Sequence, residues 1–242
     1  MKIKKINFKK YRAINESGKI KKIQLEQNHI LDLNIYGDEI QNILCDVYGN
    51  EISTWKTEYN DIGKISKSYN DSNSKKNFHY NENGLLIEML FFFNEQIEYK
   101  LQYEYDDEEG GTGDLISEYR IDEKAQNFTK TLYDFDSSGN NLERTRLKQK
   151  NGITTNEKFY KNGQLTHEHF FSYDLGEKTS TICYTYDLFG NLIKKDSYFA
   201  PDGNASVEEY DYEFDNYQNW TKQIVNKNSM SPIVIEREIQ YF

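Results

Sequence analysis

The stretch Tyr184–Tyr198, YTYDLFGNLIKKDSY, holds at its centre an aromatic residue, an aspartate, two further residues and then Gly-Asn. The same outline, Asp or Asn three residues before Gly, occurs at Asn15 with Gly18, Asp46 with Gly49, Asn60 with Gly63, Asn81 with Gly84, Asp136 with Gly139, and Asp187 with Gly190. Two degenerate copies follow it, Tyr160 with Gly163 and Asp215 with Gln218. A type I turn favours Asp or Asn at its first position, where the side chain can accept bonds from backbone N–H groups ahead, and Gly at its fourth, where φ becomes positive. A turn of this kind, closed by a left-handed glycine, joins antiparallel strands. The phrase is therefore read as a structural turn.

Other turn signals lie between these, at Asn151-Gly152 and Pro201-Asp202-Gly203, with weaker ones near Gly37, Ser72, Asn94 and Gly176. In the second half the turn positions 139, 152, 163, 176, 190, 203 and 218 are separated by 13, 11, 13, 14, 13 and 15 residues. Each step leaves about 8 to 11 residues for one strand, and the chain as a whole holds roughly 17 to 19 strands. That is more than an open twisted sheet usually carries without curling. The expected fold is all-β: a meander of antiparallel β-hairpin repeats forming a long curled or spiralling sheet. It is expected to be one domain over residues 1–242, irregular over 1–98 and clearer over 99–242.

The strands alternate as the pleat requires. In VEEYDYEFD, Tyr210, Tyr212 and Phe214 share one face while Glu209, Asp211, Glu213 and Asp215 share the other. Tyr99, Leu101, Tyr103 and Tyr105 likewise oppose Lys100, Gln102, Glu104 and Asp106, and Ile233, Ile235, Ile239 and Tyr241 share a side. The chain is 29% charged with a mean hydropathy of -0.90, yet it contains only 2 prolines and is 15% aromatic. Each well-buried ring contributes roughly 2 to 3 kcal/mol, so an aromatic core is expected to replace the missing aliphatics.

TICYTYDLFGNLIK, TLYDFDSSGNNLE, LQYEYDDEEGG and EYDYEFDNYQNWTK resemble the YD repeats, also called RHS repeats, in which Tyr-x-Tyr-Asp-x-x-Gly is followed by a polar and an aliphatic residue. The resemblance implies β-hairpins aligned into a spiralling sheet, which in large toxins and cell-surface proteins closes into a hollow shell. It also implies a link to toxin systems and to sugar recognition.

A net charge of -10 argues against nucleic acid or an anionic membrane as partner, because phosphate binding needs clustered Lys and Arg. The lysine-rich N-terminus, MKIKKINFKK, is followed by no apolar run, so neither an export signal nor an anchor is expected. Cys45 and Cys183 lack CxxC spacing and read as reduced thiols, which suits a cytoplasmic location.

His167 and His169 would point the same way from a strand, but no third metal ligand is evident. The acidic, glycine-rich loop Asp106–Asp114 does not follow the order of a known calcium loop and reads as a solvated turn. Asn127, Asn204 and Asn219 form glycosylation sequons. No metal, cofactor or catalytic residue is assigned. The acidic row Glu209, Asp211, Glu213 and Asp215 is the candidate partner-binding face, with electrostatics favouring a basic protein. The expected function is a non-enzymatic β-repeat protein that binds another protein, with neutralisation of a basic toxin domain as a specific case. Carbohydrate binding at a cell surface, through exposed rings, is the alternative. A hydrolase working through a carboxylate pair is a third reading.

Overall fold

The computed structural model describes residues 2–106, 114–122, 128–135, 141–147, 153–172, 175–200, 203–228 and 230–242. Among them are eighteen strands and no helix. In chain order they are β1 (Ile3–Glu16), β2 (Lys19–Leu33), β3 (Glu39–Cys45), β4 (Glu51–Tyr59), β5 (Ile65–Asn70) and β6 (Ser74–Tyr80). There follow β7 (Leu86–Phe93), β8 (Gln96–Tyr105), β9 (Leu115–Asp122), β10 (Phe128–Phe135), β11 (Asn141–Leu147) and β12 (Ile153–Lys161). The last six are β13 (Gln164–Phe171), β14 (Lys178–Tyr186), β15 (Leu192–Phe199), β16 (Asn204–Phe214), β17 (Trp220–Lys227) and β18 (Ile233–Tyr241). All belong to one antiparallel meander, the fold class expected from the turn spacing.

Contacts divide the chain into two units, residues 1–75 with 207–242, and residues 76–206. In the first, β1 lies between β2 and β18, with Ile6 facing Ile239 on one side and Leu31 on the other. The first and last strands thus satisfy each other, and neither leaves a row of open backbone groups. Ala13 N–H reaches the Pro232 carbonyl at 2.9 Å and Phe242 N–H reaches the Lys2 carbonyl at 3.0 Å, extending the ladder past both strand ends. In the second unit β7 to β15 pair each with the next in sequence order.

The turn phrase closes as its chemistry dictates. Asp187 Oδ1 accepts the backbone N–H groups of Phe189 (2.9 Å) and Asn191 (2.8 Å), and its Oδ2 accepts the Asn191 amide at 2.9 Å. Gly190 N–H bonds the Asp187 carbonyl at 3.2 Å, and Asp187 N–H bonds the Asn191 carbonyl at 2.9 Å. Asp46 repeats the set with Tyr48 and Asn50, closed by Gly49.

The asparagine copies close in the same way with a side-chain amide oxygen as acceptor. Asn60 takes the N–H groups of Ile62 and Lys64. Asp61 and Ile62 form the tip of that turn, and Gly63 is the bend that ends it, at φ 76 with its N–H on the Asn60 carbonyl at 2.9 Å. Asn81 accepts the Leu85 N–H, and Gly84 bonds the Asn81 carbonyl at 2.9 Å. Asn34 and Gly37 form a further full copy, with Asn three residues before Gly, where only a weaker turn signal near Gly37 is expected.

Three copies depart from the phrase. Asp215 closes its turn with Gln218 at φ 64, a left-handed conformation held without glycine. Gly163 sits in a narrower turn with Asn162, both at positive φ, so Tyr160 stays inside β12. Gly18 is paired in the same manner with Ser17, although its N–H still reaches the Asn15 side chain at 2.9 Å. The turn expected at Asp136 and Gly139, between β10 and β11, lies outside the described residues. So do Asn151-Gly152, Pro201-Asp202, Asn127 and residues 107–113.

After Gly37, Gly49, Gly63, Gly163, Gly176, Gly190 and Gln218 the pairing slips by one residue, three positions on. The skipped residues are Ile40, Ile52, Ser66, Thr166, Thr179, Ile193 and Thr221. A bulge leaves a carbonyl of the facing strand without its ladder partner. The hydroxyls of Ser66, Thr166, Thr179 and Thr221 donate to those carbonyls, on Glu58, Phe159, Phe170 and Glu213, at 3.2, 3.0, 3.1 and 3.3 Å.

The tyrosine before the turn has a further role. The hydroxyls of Tyr59, Tyr105 and Tyr186 donate to the carbonyls of Glu39 (2.6 Å), Leu86 (2.9 Å) and Leu165 (2.9 Å). These acceptors lie two residues past Gly37, Gly84 and Gly163, so each ring ties its own turn to the preceding turn on the same margin of the sheet. Burial raises the pKa of all three phenols, which keeps the donating hydroxyl protonated.

The expected aromatic core is corrected by the packing. The buried hydrophobic residues among those described are Ile6, Ala13, Ile43, Cys45, Met89 and Val234. Tyr210 and Tyr212 are only half-buried, and Phe214 is exposed. Rings too large to be enclosed cover the sheet face in pairs, such as Phe91 stacked on Tyr99 with centroids 4.9 Å apart.

Two outcomes are expected. Gly190→Ala places a Cβ 3.2 Å from the movable Gln164 amide at φ +87, whereas Gly49→Ala, at φ +91, meets nothing within 4 Å. If backbone conformation governs, both lower stability by about 1–2 kcal/mol in urea unfolding with unchanged slope. Asp46 and Asp187 have pKa values held below 3.8, first by the Asn50 and Asn191 amides, so their contribution is complete above 3.8 and is lost as pH falls through the lower folded value. The stability gap between wild type and Asp187→Asn should therefore close below that pH.

Candidate binding surface

The two central positions of a turn project away from the sheet, and when the flanking Asx side chain and glycine already close the backbone they carry no structural demand. Polar residues are usual there. Among the described turns, apolar residues stand at several tips, Ile35-Tyr36, Val47-Tyr48, Ile62, Leu188-Phe189 and Tyr217, all exposed. Tyr36 is 76%, Tyr48 87%, Leu188 101% and Phe189 90% accessible, so these side chains contribute little to burial within the chain. Single exposed hydrophobic residues are ordinary, but here they recur at one position of one kind of turn, which makes these tips the candidate surface.

In the first unit the turns after β2, β4 and β16 share a margin, because a meander sends alternate turns to opposite sides. Ile35, Tyr36, Ile62 and Tyr217 therefore stand in one row with exposed Phe242, where β18 ends. Tyr217 packs on Tyr241 with centroids 4.8 Å apart, and the Lys2 ammonium lies 5.5 Å from the centre of the Tyr36 ring. In the second unit Leu188 and Phe189 occupy the turn after β14, whereas the tip after β6 is polar, Glu82-Asn83. The signal is present in the sequence as apolar pairs inside turn phrases, but turn chemistry weighs the ends of the phrase and is indifferent to its centre.

The structure places the acidic row differently from a bare carboxylate surface. Glu209, Asp211 and Glu213 are exposed on β16. Glu213 is paired with the Lys222 ammonium at 2.6 Å, and Asp211 accepts the Asn226 amide at 3.3 Å. Asp215 lies beyond the strand, where its carboxylate serves the turn, accepting from Tyr217 N–H (2.8 Å), Asn219 N–H (3.0 Å) and the Tyr241 hydroxyl. The Tyr241 contact, first among the causes, holds the Asp215 carboxyl below its ordinary value.

A polar ladder crosses β8 to β14 in the second unit. Tyr103 faces Glu118, Tyr133 faces Glu143, Glu143 faces Lys158, and Lys158 faces Glu168. Lys158 Nζ lies 3.4 Å from Glu143, and Glu168 accepts the Asn156 amide and the Tyr184 hydroxyl, each at 3.0 Å. Burial, followed by Glu143, raises the pKa of Glu118. Burial first, then neighbouring carboxylates, pushes Tyr103 and Tyr160 up to about 12 and raises Tyr133 further.

His167 and His169 project from the side of β13 opposite Glu168. His169 shares a hydrogen bond with Thr181 at 3.1 Å and meets the Phe159 ring at 5.1 Å; His167 reaches the Thr166 hydroxyl at 3.1 Å. Burial, then Lys178, lowers the pKa of His169. Among the described residues no three His, Cys, Asp or Glu side chains come together as a metal site would require. Cys45 and Cys183 are free thiols. An open groove of about 650 Å³ on β6 to β9 is lined by His79, Glu88, Gln102, Glu104 and Tyr119 among others, with Glu104 taken up by the Ser117 and Tyr119 hydroxyls. No helix of the described residues is long and apolar enough to cross a membrane.

No family model and no curated protein matches the chain. Among solved structures it is similar to a chain of the crystal structure of TcdB2-TccC3-TEV, with 13% identity and a TM-score of 0.40 over 90% of this chain and 14% of that one. A chain of the Photorhabdus luminescens Tc holotoxin pore gives 14% identity and 0.39 over 83% of this chain and 12% of that one. A porin-like protein from Bacteroides uniformis gives 10% identity and 0.45 over 98% and 96%. The chain thus spans about one seventh or less of the Tc toxin chains it resembles.

The raised phenols predict a stability change in base. An unfolded tyrosine ionises near 10 while Tyr103 and Tyr160 hold their protons to about 12, so stability should decline as pH rises from 10 to 12. Tyr103→Phe and Tyr160→Phe should flatten that decline in urea titrations.

Proposed function

We propose that this chain is a YD-type hairpin-repeat protein that acts as a non-enzymatic binding module and engages a protein partner through its apolar turn tips. The YD assignment is supported by the tyrosine ties and the Asx-closed turns, which give every element of the repeated phrase a structural role. The binding role is carried by one observation: Ile35, Tyr36, Ile62 and Tyr217 stand exposed in a row on one margin, at positions where turns ordinarily place polar residues. Aromatic anchors of this kind, rimmed by polar groups, are what protein interfaces bury. The net charge of -10 favours a basic partner, and a basic toxin domain neutralised by this chain is the specific case of that reading. The acidic row contributes long-range attraction more than contact, since Glu213 and Asp215 are already engaged within the chain.

The test is a comparison of two variants in affinity capture from native lysate. The combined variant Tyr36→Ser, Ile62→Ser, Tyr217→Ser should keep the wild-type urea midpoint to within about 0.5 kcal/mol, because surface positions contribute little to folding. It should lose the proteins that wild type retains, while Glu209→Gln with Asp211→Asn retains them at moderate salt. Capture unchanged by the tip variant would overturn the proposal.

A further inference from the structure

Independently of the turn margin, β17, β18, β1 and β2 assemble a second feature on one face. Phe8 is registered opposite Arg237 on β18 and opposite His29 on β2. Trp220 completes this row, its ring centroid 6.4 Å from that of Phe8. In the next row Lys10 faces Ile235 on one side and Gln27 on the other. Between the rows lies a groove of about 270 Å³ lined by Phe8, Lys10, Gln27, His29 and Ile235. Its floor is a ring and an aliphatic chain, and its rim is made of polar groups, two of them nitrogen bases.

The local charge runs against that of the chain. The acid adjoining Lys10 is Glu26, whose Oε1 takes both Nε and Nη2 of Arg12 at 3.1 Å, leaving Lys10 Nζ at 3.9 Å from Oε2. That separation exceeds hydrogen-bond length, so the Lys10 ammonium keeps its donors. Arg237 adds a second fixed cation: its guanidinium centre sits 4.3 Å from the Trp220 ring centroid and 5.2 Å from that of Phe8. Its Nε is buried and, among the described residues, accepted by no oxygen. On a chain of net charge -10 this tile therefore sets the Lys10 ammonium and the His29 imidazole around an apolar slot, with Arg237, itself near the Asp215 carboxylate, beside it.

We infer that the groove is a binding site for a small aromatic carboxylate, its ring lying on Phe8 and Ile235 and its carboxylate held between Lys10 and His29 with the Gln27 amide as a further donor. The volume lies just below the usual range of ligand pockets and suits a ligand of one or two fused rings. An uncharged ring would leave the Lys10 ammonium with only the Glu26 carboxylate at 3.9 Å, and a bare inorganic anion would leave the apolar floor unfilled.

Isothermal titration with 2-naphthoate and with its uncharged analogue 2-naphthalenemethanol tests this on the wild-type chain. Saturable binding of one naphthoate is expected, with the alcohol at least about tenfold weaker, the loss that accompanies removal of a charge-assisted hydrogen bond. The variant Lys10→Gln with His29→Gln should weaken naphthoate by a similar factor, and Trp220 fluorescence should respond in the wild type. No saturable binding, equal affinity for acid and alcohol, or naphthoate affinity unchanged in the variant would each overturn the site. The comparison of the two ligands needs no variant, so a folding defect cannot obscure the result.

Discussion

A phenol donated to a backbone carbonyl one turn back is the contact on which this sheet depends. A long meander is made of hairpins that are individually marginal, and nothing in a hairpin fixes it to the next except the shared ladder. Tyr59, Tyr105 and Tyr186 supply that second link, spanning from the end of one strand to the start of its neighbour. The acceptors lie next to the turns, and Glu39 and Leu165 stand one residue before the register slips at Ile40 and Thr166. Turn, bulge and tyrosine thus combine at Tyr59 and Tyr186, while the turns at Asp46 and Asp215 close without a tyrosine before them.

The same device explains the side chains around it. The residue after the glycine is Asn where the first residue is Asp, at Asn50 and Asn191, because its amide can bridge to the second carboxylate oxygen. Hydroxyl residues recur at the bulge for a similar reason, covering a carbonyl that the slip leaves open. Since the ends of the turn meet the whole structural demand, its centre is free, and the chain fills that centre with Tyr36, Tyr48, Leu188 and Phe189. Folding gives little return for those exposed residues.

The all-β meander was legible because turn chemistry is local: Asp or Asn, and Gly three residues on, announce a reversal without reference to the rest of the chain. Gly49, Gly63, Gly84 and Gly190 end their turns at positive φ on that signal alone. Long-range features were not legible. That β1 lies against β18 follows from matching two strands at opposite ends of the sequence, which periodicity cannot signal. Alternation along VEEYDYEFD carried Asp215 into the acidic row, although as the first residue of a turn phrase it had a competing use, and that use prevails. The aromatic core failed as an expectation because a tyrosine needs its hydroxyl satisfied. Rings whose hydroxyls reach turn carbonyls stay half-buried at the margin, leaving burial to Ile6, Ile43, Met89 and Val234. The groove beside Phe8 was illegible for another reason: its walls come from three strands that no local pattern brings together.

The most direct measurement is urea unfolding of Tyr59→Phe, Tyr105→Phe and Tyr186→Phe, singly and combined, each change removing one hydroxyl and nothing else. If the ties hold successive turns together, each variant loses about 1 kcal/mol, and the losses add in the triple variant because no two of the hydroxyls share a partner. Three single variants as stable as wild type would contradict the account, since the repeated tyrosine would then serve only as a hydrophobic ring.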